Sequence, residues 1–184
     1  MNNMLEIEVK ARADHEQVKE LLTNMGAEVI GVQRHCDTYF NAPHRDFAKT
    51  DEALRIRSVD GRSVMTYKGK KLDSVSKTRE EFETEVDSSN ARSILFALGF
   101  YESGVVRKKR EIFKYENMTI CLDKVGTFGE FIEVEITAES DVETHSKTIF
   151  SFLEKLGISE NDSIRTSYLE IVLDHPEEKM NKCQ

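Results

Sequence analysis

The chain has 184 residues, 39 % hydrophobic and 33 % charged, and its 26 Lys and Arg against 34 Asp and Glu leave a net charge of -8. That length fits one domain with a full core and excludes two ordinary domains joined by a linker. The acidic balance makes the general surface repel nucleic acid and anionic membranes, so neither is an expected partner. No apolar run approaches the roughly 20 residues of a membrane span, and the segment from Met1 to Lys10 carries carboxylates where a signal peptide needs an apolar stretch. A cytoplasmic protein is therefore expected.

In chain order, Leu5, Ile7 and Val9 alternate with Glu6, Glu8 and Lys10, which predicts a strand with one apolar and one charged face. Asp14 can cap a helix whose apolar stripe is Val18, Leu21, Leu22 and Met25, and Gly26 can end it. Leu54 and Ile56 alternate with Arg55 and Arg57 in a second strand, and Val64 to Lys68 and Arg79 to Val86 read as two more. Ser88 or Ser89 begins a helix with Ala91, Ile94, Leu95 and Leu98 on one side. Val106 to Tyr115 and Thr119 to Asp123 are strands joined by the short hairpin-like connection Tyr115-Glu-Asn-Met118. Ile132, Val134 and Ile136 then alternate with Glu133 and Glu135; a helix follows near Asp141 with Ile149, Phe152, Leu153 and Leu156, and a short one covers Ser167 to Leu173. This makes at least seven strands and four helices in one domain over 1–174, with a polar tail over 175–184.

Three times a strand with glutamates on alternate positions precedes a helix closing in Leu-Gly or Met-Gly, at Gly26, Gly99 and Gly157. The repeat is too loose to prove duplication. Neither the cysteines nor the histidines have a zinc-ligand spacing, and the five histidines are expected on the surface or in loops. With helices over the apolar strand faces, the charged faces look either into solvent or across a closed barrel. Pooled, those faces hold the acids Glu6, Glu8, Glu81, Glu83, Asp123, Glu133 and Glu135 with the bases Lys10, Arg55, Arg57, Lys68, Arg79, Lys108 and Arg110. Arginines two apart suit a bidentate clamp on phosphate, and carboxylates two apart suit a cation that prefers oxygen ligands.

The chain resembles the CYTH superfamily of triphosphate tunnel metalloenzymes. Glu6-Ile-Glu-Val-Lys10 is its ExExK signature, and the likeness continues in order through Asp37-Thr-Tyr-Phe40, Ala53-Leu-Arg-Ile-Arg57, Thr66-Tyr-Lys-Gly69, Ser76-Lys-Thr-Arg79, Lys108-Lys-Arg110, Leu122-Asp123, Phe128 to Glu135 and Ser167 to Glu170. Arg45 to Arg57 and Val125 to Gly129 look most like the class IV adenylyl cyclase branch; thiamine triphosphatases are relatives. The resemblance implies an α+β fold with a closed antiparallel eight-stranded β-barrel, a charged tunnel inside and helices outside. It implies that Glu6, Glu8, Asp123, Glu133 and Glu135 hold Mg2+ or Mn2+, and that Lys10, Arg55, Arg57, Lys68, Arg79, Lys108 and Arg110 bind the substrate triphosphate. Catalysis falls to Glu6, Glu8, Lys10 and Asp123, while Glu81, Glu83 and Arg165 stay unassigned.

The activity implied is conversion of ATP to cyclic AMP and pyrophosphate. The alternatives are a thiamine or inorganic triphosphatase, acting on thiamine triphosphate or tripolyphosphate, and a binding module without turnover. A homodimer is allowed. Other motifs carry less: alternate members of Arg107-Lys-Lys-Arg110 point opposite ways on a strand, so it is not a nucleic-acid patch. Lys68-Gly-Lys-Lys71 is not a P-loop, Gly126-Thr-Phe-Gly129 is a hairpin turn, and Cys121 is expected as a small buried residue.

Overall fold

Period-two patterns in the strands and capped amphipathic stripes in the helices yield one α+β fold, described by a computed structural model over residues 5–70 and 79–175. The elements run β1 (Leu5–Arg12), α1 (His15–Asn24), β2 (Glu28–Asn41), α2 (Phe47–Thr50), β3 (Ala53–Val59), β4 (Arg62–Lys68), β5 (Glu81–Glu85), α3 (Ser88–Ala97), β6 (Tyr101–Tyr115), β7 (Met118–Val125), β8 (Gly129–Ala138), α4 (Val142–Lys155) and α5 (Tyr168–Leu173). The eight strands form one antiparallel sheet in the order β1-β8-β7-β6-β2-β3-β4-β5, so β1 and β5 stand at its two ends. Lys71 of the Lys68-Gly-Lys-Lys71 segment, Ser76 to Thr78 of the Ser76-Lys-Thr-Arg79 motif and the residues beyond His175 lie outside the described residues.

The described chain divides into two compact units, one of residues 5–33 and 109–166 and the other of residues 34–70, 79–108 and 167–175. In the first, the register sets Ile7 opposite Ile136, Val9 opposite Val134 and Ala11 opposite Ile132, while Ile120 and Leu122 of β7 face Val134 and Ile132. These residues share one buried cluster with Val18 and Leu22 of α1 and Ile149, Phe152, Leu153 and Leu156 of α4. Each buried aliphatic or aromatic side chain contributes about 1.5–3 kcal/mol, which holds both helices on this side. The Asp14 carboxylate caps α1 by accepting from the Gln17 N–H at 3.1 Å, and Gly26 follows the helix with φ +78°. Glu116-Asn117 is the β6–β7 turn, with Glu116 at φ +52° as a tight hairpin requires.

In the second unit, Thr38 and Phe40 of β2 pair with Ile56 and Leu54 of β3, which pair in turn with Met65 and Tyr67 of β4. Phe40, Leu54 and Ile56 pack with Phe47 of α2 and Ala91 and Leu95 of α3. The α3 cap is Asp87, one residue before the expected serines, because its carboxylate reaches the Asn90 N–H at 2.8 Å. At Gly104 on β6 a Cβ would come within 2.7 Å of Leu169 Cδ1, so the absent side chain lets α5 seat. Neither α2 nor the first half of β2 shows a clear period in the sequence, and Val29, Ile30 and Val32 in that half are all exposed.

Candidate functional site

The strand register that buries Ile7 and Val9 on one side turns Glu6, Glu8 and Lys10 to the other. It sets Glu8 opposite Glu135, Lys10 opposite Glu133, and Glu133 opposite Cys121 on β7. Lys10, Asp123 and Glu133 are buried, Asp123 completely, so this face of the first unit is charged yet withdrawn from water. Such a face is held only by internal pairing. Arg110 supplies it with a fork: its Nε donates to Asp123 Oδ1 at 2.7 Å and its Nη2 to Oδ2 at 2.5 Å, and Nη2 also donates to Glu133. Burial opposes the Arg110 charge, but Glu133 and Asp123 outweigh it and hold the guanidinium well above its ordinary value. Lys10 Nζ donates to the Thr166 carbonyl, and the Ile164 N–H donates to the Lys10 carbonyl at 2.6 Å, which docks the segment before α5 on β1.

Glu135 lies in the opposite electrostatic condition. Burial, then repulsion from Glu6 and Glu8, push its carboxyl up to about 8, with Arg110 opposing only in part. Among the described residues no three His, Cys, Asp or Glu side chains converge as a preformed metal site. The donor chemistry nonetheless fits a hard divalent cation, since Glu6, Glu8 and Glu135 are oxygen donors with excess negative charge and no His or Cys ligand. Asp123 and Glu133, expected beside them as ligands, are engaged with Arg110, itself expected as a phosphate binder.

The second unit carries a base-rich face built the same way. Asp37 pairs with Arg57 and Tyr39 with Arg55 across β2 and β3; Arg55 stands opposite Thr66 on β4, and Thr66 and Lys68 stand opposite Glu83 and Glu81 on β5. Asp37 accepts both arms of Arg57, from Nε and from Nη2, each at 2.7 Å, with Arg55 Nη1 at 3.6 Å from the same carboxylate. Burial alone would raise the Asp37 carboxyl, but the Arg57 hydrogen bonds and the charges of Arg57, Arg55 and Lys108 hold it far below the usual range. Arg55 is held above its ordinary value, chiefly by Asp37 acting against burial. Its Nε is buried and has no hydrogen-bond partner among the described residues. Lys108 is buried with Nζ 5.0 Å from the centroid of the Tyr168 ring. Lys68 is bonded to Glu81, and Thr66 Oγ1 donates to Glu83 at 2.7 Å.

Lys108 and Arg110 are withdrawn from solvent while Arg107 and Lys109 are exposed, as strand alternation requires. Arg79 is half-buried two residues before β5, and Arg165 is exposed. Two histidines depart from the surface expectation: His15 is buried with Nε2 2.9 Å from the Phe131 carbonyl, and His35 is buried on β2 in step with Asp37 and Tyr39. Asp37 was not among the expected site residues, although it begins the Asp37-Thr-Tyr-Phe40 segment. The alternation of Asp37 and Tyr39 with Thr38 and Phe40 was the available signal. Asp37→Ala is expected to destabilise the fold by about 3–5 kcal/mol, since it strands a buried arginine pair. Chemical denaturation would show this as a lower midpoint, and an unchanged midpoint would remove the clamp from the fold's energetics.

The CYTH domain matches residues 4–168. The chain belongs to that family. A Methanocaldococcus jannaschii protein with a provisional adenylate cyclase name is 42 % identical over 173 residues, covering 91 % of this CYTH chain and 98 % of its own length. The PH1819 protein of Pyrococcus horikoshii has a TM-score of 0.85 and 37 % identity, over 92 % of this chain and 98 % of its own. A Hippeastrum protein, described as an adenylyl cyclase candidate with a dominant triphosphatase activity, matches in fold with a TM-score of 0.62 and 21 % identity, covering 84 % of this CYTH chain and 88 % of its own. Among the described residues no helix is long and apolar enough to cross a membrane.

Proposed function

We propose that this CYTH protein is a metal-dependent enzyme acting on a triphosphate, with ATP as substrate and cyclic AMP and pyrophosphate as products. The observation that carries the reading is the buried Nε–H of Arg55, without a hydrogen-bond partner among the described residues, within a base-rich face; it is a donor whose burial costs stability unless an anion takes it. Arg55, Arg57, Lys68 and Lys108 would receive the non-bridging phosphate oxygens, with Arg79 beyond β5 as a further base and Lys10 and Arg110 as bases of the acidic face. Glu6, Glu8 and Glu135 would hold Mg2+ or Mn2+, with Glu133 and Asp123 joining if Arg110 turns to the substrate. The bound cation supplies charge neutralisation at the phosphoryl group under attack.

Cyclisation requires the ribose 3′-oxygen to lie about 3 Å from the α-phosphorus and in line with departing pyrophosphate, so it needs contacts to the nucleoside as well as to the phosphates. Hydrolysis of the terminal phosphate needs only a positioned water. The cyclase name of the 42 % identical relative favours the first. The activity ascribed to the Hippeastrum protein makes triphosphatase the second reading. A module that only sequesters nucleotide is disfavoured, because the carboxylates Glu6, Glu8 and Glu135 would repel the ligand if no cation joined them.

Phosphorus NMR separates these readings. With Mg2+ or Mn2+, the enzyme is expected to convert ATP to cyclic AMP and pyrophosphate, to leave 3′-deoxy-ATP intact and to spare inorganic tripolyphosphate. Orthophosphate released from tripolyphosphate or thiamine triphosphate faster than cyclic AMP forms would replace the cyclase with a triphosphatase. Binding without turnover of any of the three would leave the sequestering module.

A further inference from the structure

β5 stands at one end of the sheet and sets two carboxylates against the base-rich face of the second unit. Glu81 is bonded to Lys68, and both side chains are 18 % exposed. Glu83 Oε1 accepts from Thr66 Oγ1 at 2.7 Å and lies 3.8 Å from Arg55 Nη2. Burial opposes the Arg55 charge, while Asp37, Tyr39 and Glu81 favour it. Without such acids Arg55, Arg57, Lys68 and Lys108 would repel one another.

The acids of this face differ in what their release costs. Asp37 is 2 % exposed and holds both arms of Arg57 at 2.7 Å, so displacing it would strand a buried carboxylate. The Glu83 side chain is 52 % exposed and holds Arg55 at the longer distance. A pair this open is weak, and water takes up the carboxylate once it leaves. Glu81 lies between these two cases. An arriving anion therefore exchanges with Glu83 and Glu81 and leaves the Asp37 clamp in place. The buried Nε–H of Arg55, without a hydrogen-bond partner among the described residues, is a donor that no exchange has to release first.

We infer that Glu81 and Glu83 are resident counter-ions of the base-rich face, which occupy Lys68 and Arg55 until a triphosphate displaces them and which thereby set the affinity of the site. The inference rests on the triphosphate reading of that face. Each carboxylate stabilises the ligand-free state and has to be displaced on binding, so neutralising it leaves a base ready for phosphate oxygen.

Isothermal titration calorimetry of the full chain with inorganic tripolyphosphate, in chelator so that no turnover intervenes, tests this. Glu83→Gln should tighten binding about 2–5-fold, as suits an exposed pair, and Glu81→Gln about tenfold, because its pair is less exposed. Glu85→Gln removes the same charge from the same strand but opposite Val64 rather than a base, and should change the affinity less than either. In a Lys68→Ala background Glu81→Gln should no longer tighten binding, since the carboxylate then has no base to surrender. Circular dichroism on each variant confirms that the fold is retained. An affinity unchanged or weaker in either Glu81→Gln or Glu83→Gln would overturn the inference. Equal tightening in Glu85→Gln, or a gain that persists without Lys68, would do the same, because simple repulsion of the anion would then account for it. Failure of the triphosphate reading looks different: the wild type would not bind tripolyphosphate, or Arg55→Ala would bind it as tightly as the wild type, and the inference would fall with that reading.

Discussion

Glu8→Gln and Glu135→Gln are expected to lower turnover of the triphosphate substrate with Mg2+ by at least about a hundredfold, the loss of several kcal/mol of transition-state stabilisation. They are also expected to leave the metal-free fold as stable as the wild type or more so. The two effects have one source. Glu135 is half-buried against Glu6 and Glu8, and removing one charge from that group relieves repulsion while deleting an anionic ligand. The unfolded carboxyl titrates near 4.5 and the folded one near 8, so between those values the folded state keeps a proton that the unfolded chain has lost. Stability from Glu135 is therefore complete below the lower value and is lost as the pH rises through the upper one. Melting curves in chelator should show this decline in the wild type and its absence in Glu135→Gln, and Mg2+ should flatten it by competing with the proton. Near-wild-type turnover in either folded variant would remove the carboxylates from the chemistry.

Arg55→Ala is expected to weaken tripolyphosphate binding about 10–100-fold, since a hydrogen bond to a charged group is worth about 1.5–3 kcal/mol. The rise in melting temperature that tripolyphosphate with Mg2+ produces should shrink accordingly, because a ligand bound only by the folded state stabilises it by mass action. Arg57→Ala should differ in kind. Both arms of Arg57 are on Asp37, so its loss should lower the melting temperature of the ligand-free protein as well, whereas Asp37 keeps Arg57 when Arg55 is removed. Equal ligand-induced shifts in the wild type and Arg55→Ala would place the anion elsewhere.

The split between what alternation reveals and what it hides follows from which interactions are local. Leu5 to Lys10, Leu54 to Arg57 and Ile132 to Ile136 each have a period of two dictated by the backbone, so the strands, their apolar faces and the cap at Asp14 are legible without a partner in view. The first half of β2 is not, because Val29, Ile30 and Val32 break the alternation and are all exposed, and pairing with other strands makes the segment extended.

The same distinction separates the candidate site into two parts. The residue types and their face follow from the sequence: Glu6 and Glu8, Arg55 and Arg57, Glu133 and Glu135 are two apart on strands, and Lys108 and Arg110 are withdrawn while Arg107 and Lys109 are exposed. Who pairs with whom does not. The Arg57 fork closes on Asp37 across 20 residues of sequence, Arg110 closes on Asp123 across 13 and Glu133 across 23, and Glu135 acquires its raised carboxyl from burial and then from Glu6 and Glu8 at the far end of the chain. Strand register sets those distances, and register is a property of the assembled sheet. The sequence by itself therefore determined which charges this protein presents on its strands, and the tertiary structure decided which of them neutralise one another, because Coulomb and hydrogen-bond energies depend on separations of a few ångströms that no local pattern encodes.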